Sequence, residues 1–516
     1  MANTTINASP LDALINEAKP DAHANPPTKK LINLLRGWPA PALLPASQLK
    51  SAAEYVLSDP AISVPVLQYG IDPGYQPLRE EIARWLSGIY QYHPPSDPPS
   101  RQPERKGSIK ANEITITGGA SQALACVLQS FTDPGYTRAV WVAAPCYFMG
   151  CAIFEDNGFR RRLRAVPEDE GGVDVTVLEE LIRKCDAEKW GHRPSKSPSP
   201  HRKLYRHIIY LVATSANPSG KTLSIARRTA LIHLAREHDA LIISDDVYDL
   251  LQWPVTSSPP PTSLVSPSPL PPQTPLPLLS QIDASLPPSR HNPPGKNFSH
   301  AISNASFSKL VGPGIRTGWI HGTADFAHGF SVTGTNRSGG AASQFAAAVV
   351  WRALSTGEIE EWVDGTVRPA LRRRHGIMLR EIARELAPLG VKVWGGNGVD
   401  GAHQAGGKLG PDELEVYGGY FVWLTLPEEM NAEVVARRAR AEEELVVAPG
   451  RIFEVAGDEE AARFPQNVRL SFSWVDEEDI VEGVKRLGRV LKRMLGGVEP
   501  DMVERNAAEG EAQAFK

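Results

Sequence analysis

Short apolar runs alternate along the chain with longer stretches in which apolar residues return at helical spacing. Ile114-Thr115-Ile116-Thr117 is β-branched throughout and ends on Gly118-Gly119, after which a helical pattern starts near Ala120. Residues 138–143 (RAVWVA), 208–212 (IIYLV) and 240–243 (ALII) read as buried strands. Strands alternating with helices predict a mostly parallel sheet covered on both faces. Ligands of such sheets sit at the carboxyl ends of the strands, so the residues just after each strand are the ones to read for chemistry.

The pattern changes toward the C-terminus. Residues 418–424 (GGYFVWL) and 467–473 (NVRLSFS) read as strands, and 431–446 and 476–494 as amphipathic helices, which predicts a smaller α+β domain. The expected organisation is a flexible segment over 1–30, a part over 31–60 packing with the small domain, a large domain over 61–365, the small domain over 366–496, and a fraying tail over 497–516. Four polar, proline- or glycine-rich stretches, 93–108, 190–204, 254–298 and 397–415, read as loops or insertions. The proline-rich tract 254–298 is expected to leave the fold as a disordered surface insertion, because it offers too little apolar area to offset its ordering entropy.

Bulk properties narrow the function classes. With 516 residues, 41% hydrophobic and 22% charged, the chain suits a two-domain enzyme with room for a buried cofactor. A formal charge of -4 does not point to nucleic acid. Nothing before residue 30 reads as a helix-turn-helix, so a ligand-sensing module with a DNA-binding head is not expected. No run approaches the length of a membrane helix. The N-terminus resembles neither a secretory nor a transit peptide, so the expected compartment is the cytoplasm. The four cysteines, Cys126, Cys146, Cys151 and Cys185, show no metal-ligand spacing, and no metal is expected.

The strand ends carry the candidate chemistry. Gly118-Gly119-Ala120-Ser121 is a glycine turn opening a helix, suited to a phosphate or serving as a plain strand–helix turn. Tyr147 follows the second strand and offers a ring face to a flat ligand, or is a rim aromatic. Asn217-Pro218-Ser219-Gly220 is a turn signature whose asparagine could also donate to a ligand oxygen. Asp245 and Asp246 would repel each other if both were buried and charged. Either one is buried against a cation and the other faces solvent, or they cap a helix. Lys309 lies in SFSKLVGPGIRTGW, a setting too stiff for a surface lysine and suited to one that forms a covalent bond. Arg316 can grip an anion in paired fashion. Arg469, inside an apolar strand, needs either a substrate carboxylate or an acidic partner.

In this order (phosphate loop, aromatic, N-P-x-G, D-x-x-Y, S-x-S-K with arginine following, R-L-S-F near the end) the motifs resemble the fold-type I pyridoxal-phosphate aminotransferases of class I/II. The resemblance runs from about Leu34 to Leu495. It is nearest the branch of 2-aminoadipate, kynurenine and aromatic amino acid aminotransferases, which LLRGWP at 34–39 and YGIDPGYQPLR at 69–79 also fit. Ser219 stands where threonine is commoner, a change that keeps the hydroxyl.

The resemblance implies an α/β enzyme of PLP-dependent transferase fold type I that moves an amino group from an L-amino acid to a 2-oxo acid. Lys309 would hold pyridoxal 5'-phosphate as a Schiff base and then shuttle the substrate proton. Asp245 would pair with the pyridine nitrogen, leaving Asp246 solvated or structural. Asn217 and Tyr248 would bond the ring's 3′-oxygen, and Tyr147 would stack on the ring. Ala120, Ser121, Ser306, Ser308 and Arg316 would hold the phosphate, joined by Tyr69 from a neighbouring subunit, which implies a homodimer. Arg469, with Asn217, would take the substrate carboxylate, and Gly37 would line the substrate pocket. The same core also serves a lyase like aminocyclopropane-carboxylate synthase or a decarboxylase, the alternative to transamination.

Overall fold

The computed structural model describes residues 29–90, 108–191, 193–197, 199–254, 275–337, 342–393 and 416–497. The expectations for 1–28, 91–107, 255–274, 397–415 and 498–516 lie outside the described residues.

An eight-stranded sheet forms the larger part. Its order is Ile114–Thr117, Gly318–His321, Ala301–Ser306, Ala240–Asp245, His207–Leu211, Ala139–Ala144, Leu163–Asp169, Gly172–Val173. From Ala301–Ser306 through Leu163–Asp169 neighbouring strands are parallel. Gly318–His321 runs antiparallel to both of its neighbours, which leaves Ile114–Thr117 pointing the same way as the parallel set. The strands of ITIT and ALIISD are buried at every position, as expected of a sheet with helices on both faces. Each strand foreseen in this part is present within a residue or two of its expected limits.

Register brings the strand ends together. Gly318 faces Thr117 on one side and Ser306 on the other. Asp245 faces Asn304, and Leu211 faces Ser244. The segments after residues 117, 144, 211, 245 and 306 therefore meet along one edge.

A second, four-stranded antiparallel sheet has the order Lys392–Val393, Phe421–Thr425, Asn467–Ser471, Ala448–Pro449. The helix Glu477–Leu495 buries Ile480, Val484, Leu487 and Leu491 on one face, and carries acids in its first turn and bases in its last, matching its dipole. Two boundaries differ from expectation. The strand expected over 418–424 breaks at Gly419-Tyr420, where Gly419 has φ +74°, giving Val416–Gly418 and Phe421–Thr425. The helix expected over 431–446 stops at Glu443, because Glu444 turns left-handed and Leu445–Val446 then pairs in parallel with Ile32–Asn33. The helix Ala46–Ser58 lies against Gln344–Ser355.

A larger correction concerns the tract 254–298. Its described second half, from residue 275, belongs to the fold. Leu279–Ser285 is a helix whose Leu279, Ser280, Gln281, Ile282 and Asp283 are buried. Asp283 accepts from the backbone N–H of His300 (2.6 Å) and Ala301 (3.2 Å) and pairs with Arg236 at 2.5 Å. Composition suggested disorder because prolines flank this short apolar stretch, but burial of the leucines and the anchoring carboxylate order it. Among the described residues no helix is long and apolar enough to cross a membrane.

Candidate active site

Lys309 follows the strand Ala301–Ser306 and reaches across to the N-terminal segment. Its Nζ donates to the Gly37 carbonyl at 2.8 Å and lies 5.2 Å from the centre of the Tyr420 ring and 5.8 Å from that of Tyr248. Burial pulls its ammonium down to about 8; the nearby Asp245 charge opposes this and the Arg469 charge adds to it.

Asp245 ends the strand Ala240–Asp245 and is buried. One carboxylate oxygen, Oδ2, accepts from the Tyr210 hydroxyl at 2.8 Å; the other, Oδ1, is buried with no partner. Burial pushes this acid up to about 6, against the Tyr210 bond and the Lys309 charge. Asp246 departs from the solvated and the helix-capping expectations and meets the structural one. It does not face solvent and does not cap a helix: it is buried, accepts from Ser244 Oγ at 2.5 Å, and lies near a second buried carboxyl, Asp249. Burial, with the Asp249 charge next, raises it to about 8.

Arg469 lies in the strand Asn467–Ser471, fully inside. Its Nη1 donates to Asn217 Oδ1 at 2.8 Å and its Nη2 to the Leu35 carbonyl at 2.5 Å. Its guanidinium carbon lies 3.9 Å from the Phe421 ring centre and 4.8 Å from that of Phe453. Burial lowers its pKa to about 9. Among the described residues no carboxylate pairs with it, and its Nε is buried without a partner. Of the two sequence readings, the salt bridge is therefore absent and the open demand for an anion remains.

Three segments converge where a phosphate is expected. Gly119, at φ +101°, turns the chain into the helix Ala120–Phe131, whose first N–H groups have no helical acceptor. Arg316 Nη2 donates to the Gly118 carbonyl at 2.5 Å, and a Cβ at Gly119 would meet that nitrogen at 2.6 Å. Ser306 and Ser308 place their hydroxyls 2.8 Å apart, and Asn304 ties the strand to the Ala120 carbonyl at 3.0 Å. Tyr147 leads into the next helix; burial raises its hydroxyl to about 12, the Asp245 charge adding to this, and Ser121 is within hydrogen-bonding reach.

The structure thus gathers Lys309, Asp245, Asn217, Tyr248, Tyr147 and Arg469 into one cluster, with Ala120, Ser121, Ser306, Ser308 and Arg316 beside it. Gly37 joins them through its carbonyl, its bare Cα letting the chain lie against Phe421, whose Cζ a Cβ would meet at 2.4 Å. Tyr69 is not among them: it is 85% exposed. Sequence reasoning missed Tyr210, hidden in an apolar strand, Tyr420, whose hydroxyl donates to the Lys309 carbonyl at 3.3 Å, and the carbonyl of Leu35. Backbone acceptors leave no trace in residue type; an aromatic hydroxyl inside the strand HIIYL was the one available signal.

Known proteins resemble this chain in sequence and fold. The family described as aminotransferase class I and II covers residues 44–487. The Saccharomyces cerevisiae protein YER152C is 30% identical over 480 residues, spanning 90% of this chain and 97% of its own. Aromatic-amino-acid aminotransferase 1 of Thermococcus litoralis is 27% identical over 465 residues, spanning 90% and 89%. The solved structure of the α-aminoadipate aminotransferase LysN of Thermus thermophilus, complexed with N-(5'-phosphopyridoxyl)-L-leucine, superposes with a TM-score of 0.65 at 25% identity, spanning 96% of this chain and 97% of its own. On the extent of these matches, and with the lysine, aspartate and arginine of its strand ends drawn into one site, the chain belongs to the class I and II aminotransferases, enzymes that work through pyridoxal phosphate.

Proposed function

We propose that this enzyme moves the amino group of an L-amino acid to a 2-oxo acid, with Lys309 as the residue that bonds the cofactor. The observation that carries the reading is one cluster that brings together an amine with a depressed pKa, a buried carboxylate oxygen with no partner and a buried guanidinium with no counter-carboxylate among the described residues. Each is costly to bury unless a ligand completes it. When bound, pyridoxal phosphate supplies an aldehyde for amines to condense with and a ring that takes up the electron pair left at the substrate Cα.

The chain's own residues do the rest. Asp245, its other oxygen fixed by Tyr210, would hold a proton on the ring nitrogen through Oδ1. Asn217 and Tyr248 would bond the ring oxygen, and Tyr147 would cover its face. The helix N-terminus at Ala120 and Ser121, with Ser306, Ser308 and Arg316, would anchor the phosphate. Arg469, with Asn217, would grip the α-carboxylate and so fix which bond at Cα is broken. Lys309, held between the Gly37 carbonyl and two tyrosine rings, would take the proton from the substrate Cα and deliver it to the cofactor's C4′.

The reading includes a homodimer with Tyr69 reaching the partner's phosphate site. Support comes from a run of exposed apolar side chains around it: Leu57 at 51%, Val64 at 60%, Leu67 at 65%, Tyr69 at 85% and Ile71 at 55%. It also places the enzyme in the cytoplasm, with which its four free thiols agree. Borohydride treatment of the holoenzyme, followed by digestion and mass mapping, tests the assignment. The cofactor label is expected on Lys309; on any other lysine it refutes the proposal.

A further inference from the structure

Tyr420 touches Lys309 at both ends. Its hydroxyl donates to the Lys309 carbonyl at 3.3 Å, and its ring centre lies 5.2 Å from Nζ, nearer than the 5.8 Å of Tyr248. The residue sits at the break between Val416–Gly418 and Phe421–Thr425 and is buried. Its backbone is fixed on two sides. The preceding Gly419 lies so close to Ser215 that a Cβ there would meet it at 3.2 Å, and the Tyr420 carbonyl accepts from the Phe472 N–H at 3.1 Å. Its ring is fixed by Tyr248, with centres 5.4 Å apart and planes at 60°. Tyr420 leads directly into the strand that pairs with that of Arg469: Phe421 faces Ser471 and Trp423 faces Arg469.

An ammonium has three N–H groups. Among the described residues that of Lys309 finds one oxygen within bonding distance, the Gly37 carbonyl at 2.8 Å. The charges that face it are Asp245, which favours the ammonium, and Arg469, which opposes it; burial keeps the hydroxyls of Tyr248 and Tyr420 protonated and neutral. What remains beside the nitrogen is aromatic. A ring face attracts a cation and does little for a neutral amine. In the reading above Tyr248 is engaged with the cofactor's ring oxygen, whereas Tyr420 has no such duty. Resting on that aminotransferase reading, we propose that Tyr420 is a positioning residue for proton transfer. Its ring face steadies the Lys309 ammonium that forms when the proton leaves the substrate Cα for Nζ, the bonding pair staying behind. The hydroxyl bond is long, so the ring is the working part and the hydroxyl keeps it in place. Because the ring and Arg469 hang from paired strands, one piece of structure aligns the base and the carboxylate grip.

The test reads Lys309 directly and then in turnover. In the cofactor-free full-length enzyme, competitive acetylation with acetic anhydride over a pH series, followed by peptide mass mapping, gives the titration midpoint of Lys309 itself. Y420L keeps apolar bulk but removes the ring, so the acid dissociation constant of Lys309 should rise about tenfold and its midpoint fall accordingly. Y420F keeps the ring and should stay within about threefold of wild type. In the holoenzyme, Y420L should lower kcat about tenfold at a KM within about twofold, and should enlarge the isotope effect on kcat with an α-deuterated donor. A midpoint in Y420L that is unmoved or higher, a loss of kcat without a larger isotope effect, or a Y420F enzyme as impaired as Y420L overturns the proposal. If Y420L is insoluble, Y420M decides in the same way. Failure of the underlying reading looks different: borohydride then fixes the wild-type cofactor to another lysine, whatever the Lys309 midpoint does.

Discussion

Replacing Arg469 by methionine removes a charge and its directed N–H groups while keeping an unbranched side chain between Phe421 and Phe453. In the protein the guanidinium is fully buried, is held by Asn217 and Leu35, and has no acidic partner among the described residues. A carboxylate bound there would accept at least two charge-assisted bonds in low dielectric. Each such bond contributes about 1.5–3 kcal/mol net, so the pair amounts to about 3–6 kcal/mol. At about 1.4 kcal/mol per factor of ten, kcat/KM for any amino acid should fall roughly a hundredfold to ten-thousandfold. The assay is rapid mixing of holoenzyme with donor, following the cofactor's absorbance through a single half-reaction. A simple primary amine without a carboxylate is the control: it should react with the R469M and wild-type enzymes at comparable rates. A loss below tenfold, or an equal loss for amine and amino acid, would show that Arg469 does not hold the carboxylate. The variant's melting temperature separates loss of grip from loss of fold.

Further outcomes follow from buried charges. Because burial depresses the Lys309 ammonium to about 8, attachment of cofactor to the cofactor-free enzyme should accelerate with pH up to about 8 and level off above it. A rate still rising tenfold per pH unit beyond 9.5 would contradict this. Asp245 raises the same pKa, so D245N should move the midpoint lower. Asp283→Ala removes one partner of a buried ion pair and the acceptor for two backbone N–H groups, at a cost of about 3–5 kcal/mol. Its urea midpoint should drop accordingly, and deletion of 256–296, which takes Asp283 with it, should yield no soluble protein. An unchanged midpoint in D283A would return this stretch to the surface.

The site was legible wherever function demanded an unusual residue in a constrained place. Lys309 among glycines and a proline, Arg469 in an apolar strand and Asp245 at a strand end each break the local pattern; register sets Asp245 beside the strand that leads to Lys309, and Arg469 reaches them from the second sheet through Asn217. What stayed hidden had no such signature. The fate of Asp246 depended on Asp249, Ser244 and burial, none of which adjacency reveals. Tyr210 looks like any large residue of a buried strand. The helix Leu279–Ser285 is too short for periodicity to outweigh the prolines around it, and the break at Gly419-Tyr420 sits inside a run that is apolar without interruption. Tertiary contacts decided each case.

The carbonyls of Leu35 and Gly37 belong to the main chain, so any sequence able to trace the same path through residues 35–38 presents the same oxygens to Arg469 and Lys309. The alignment of the reacting end therefore does not depend on side-chain identity at residues 35, 36 and 38, whereas Gly37 must stay bare against Phe421.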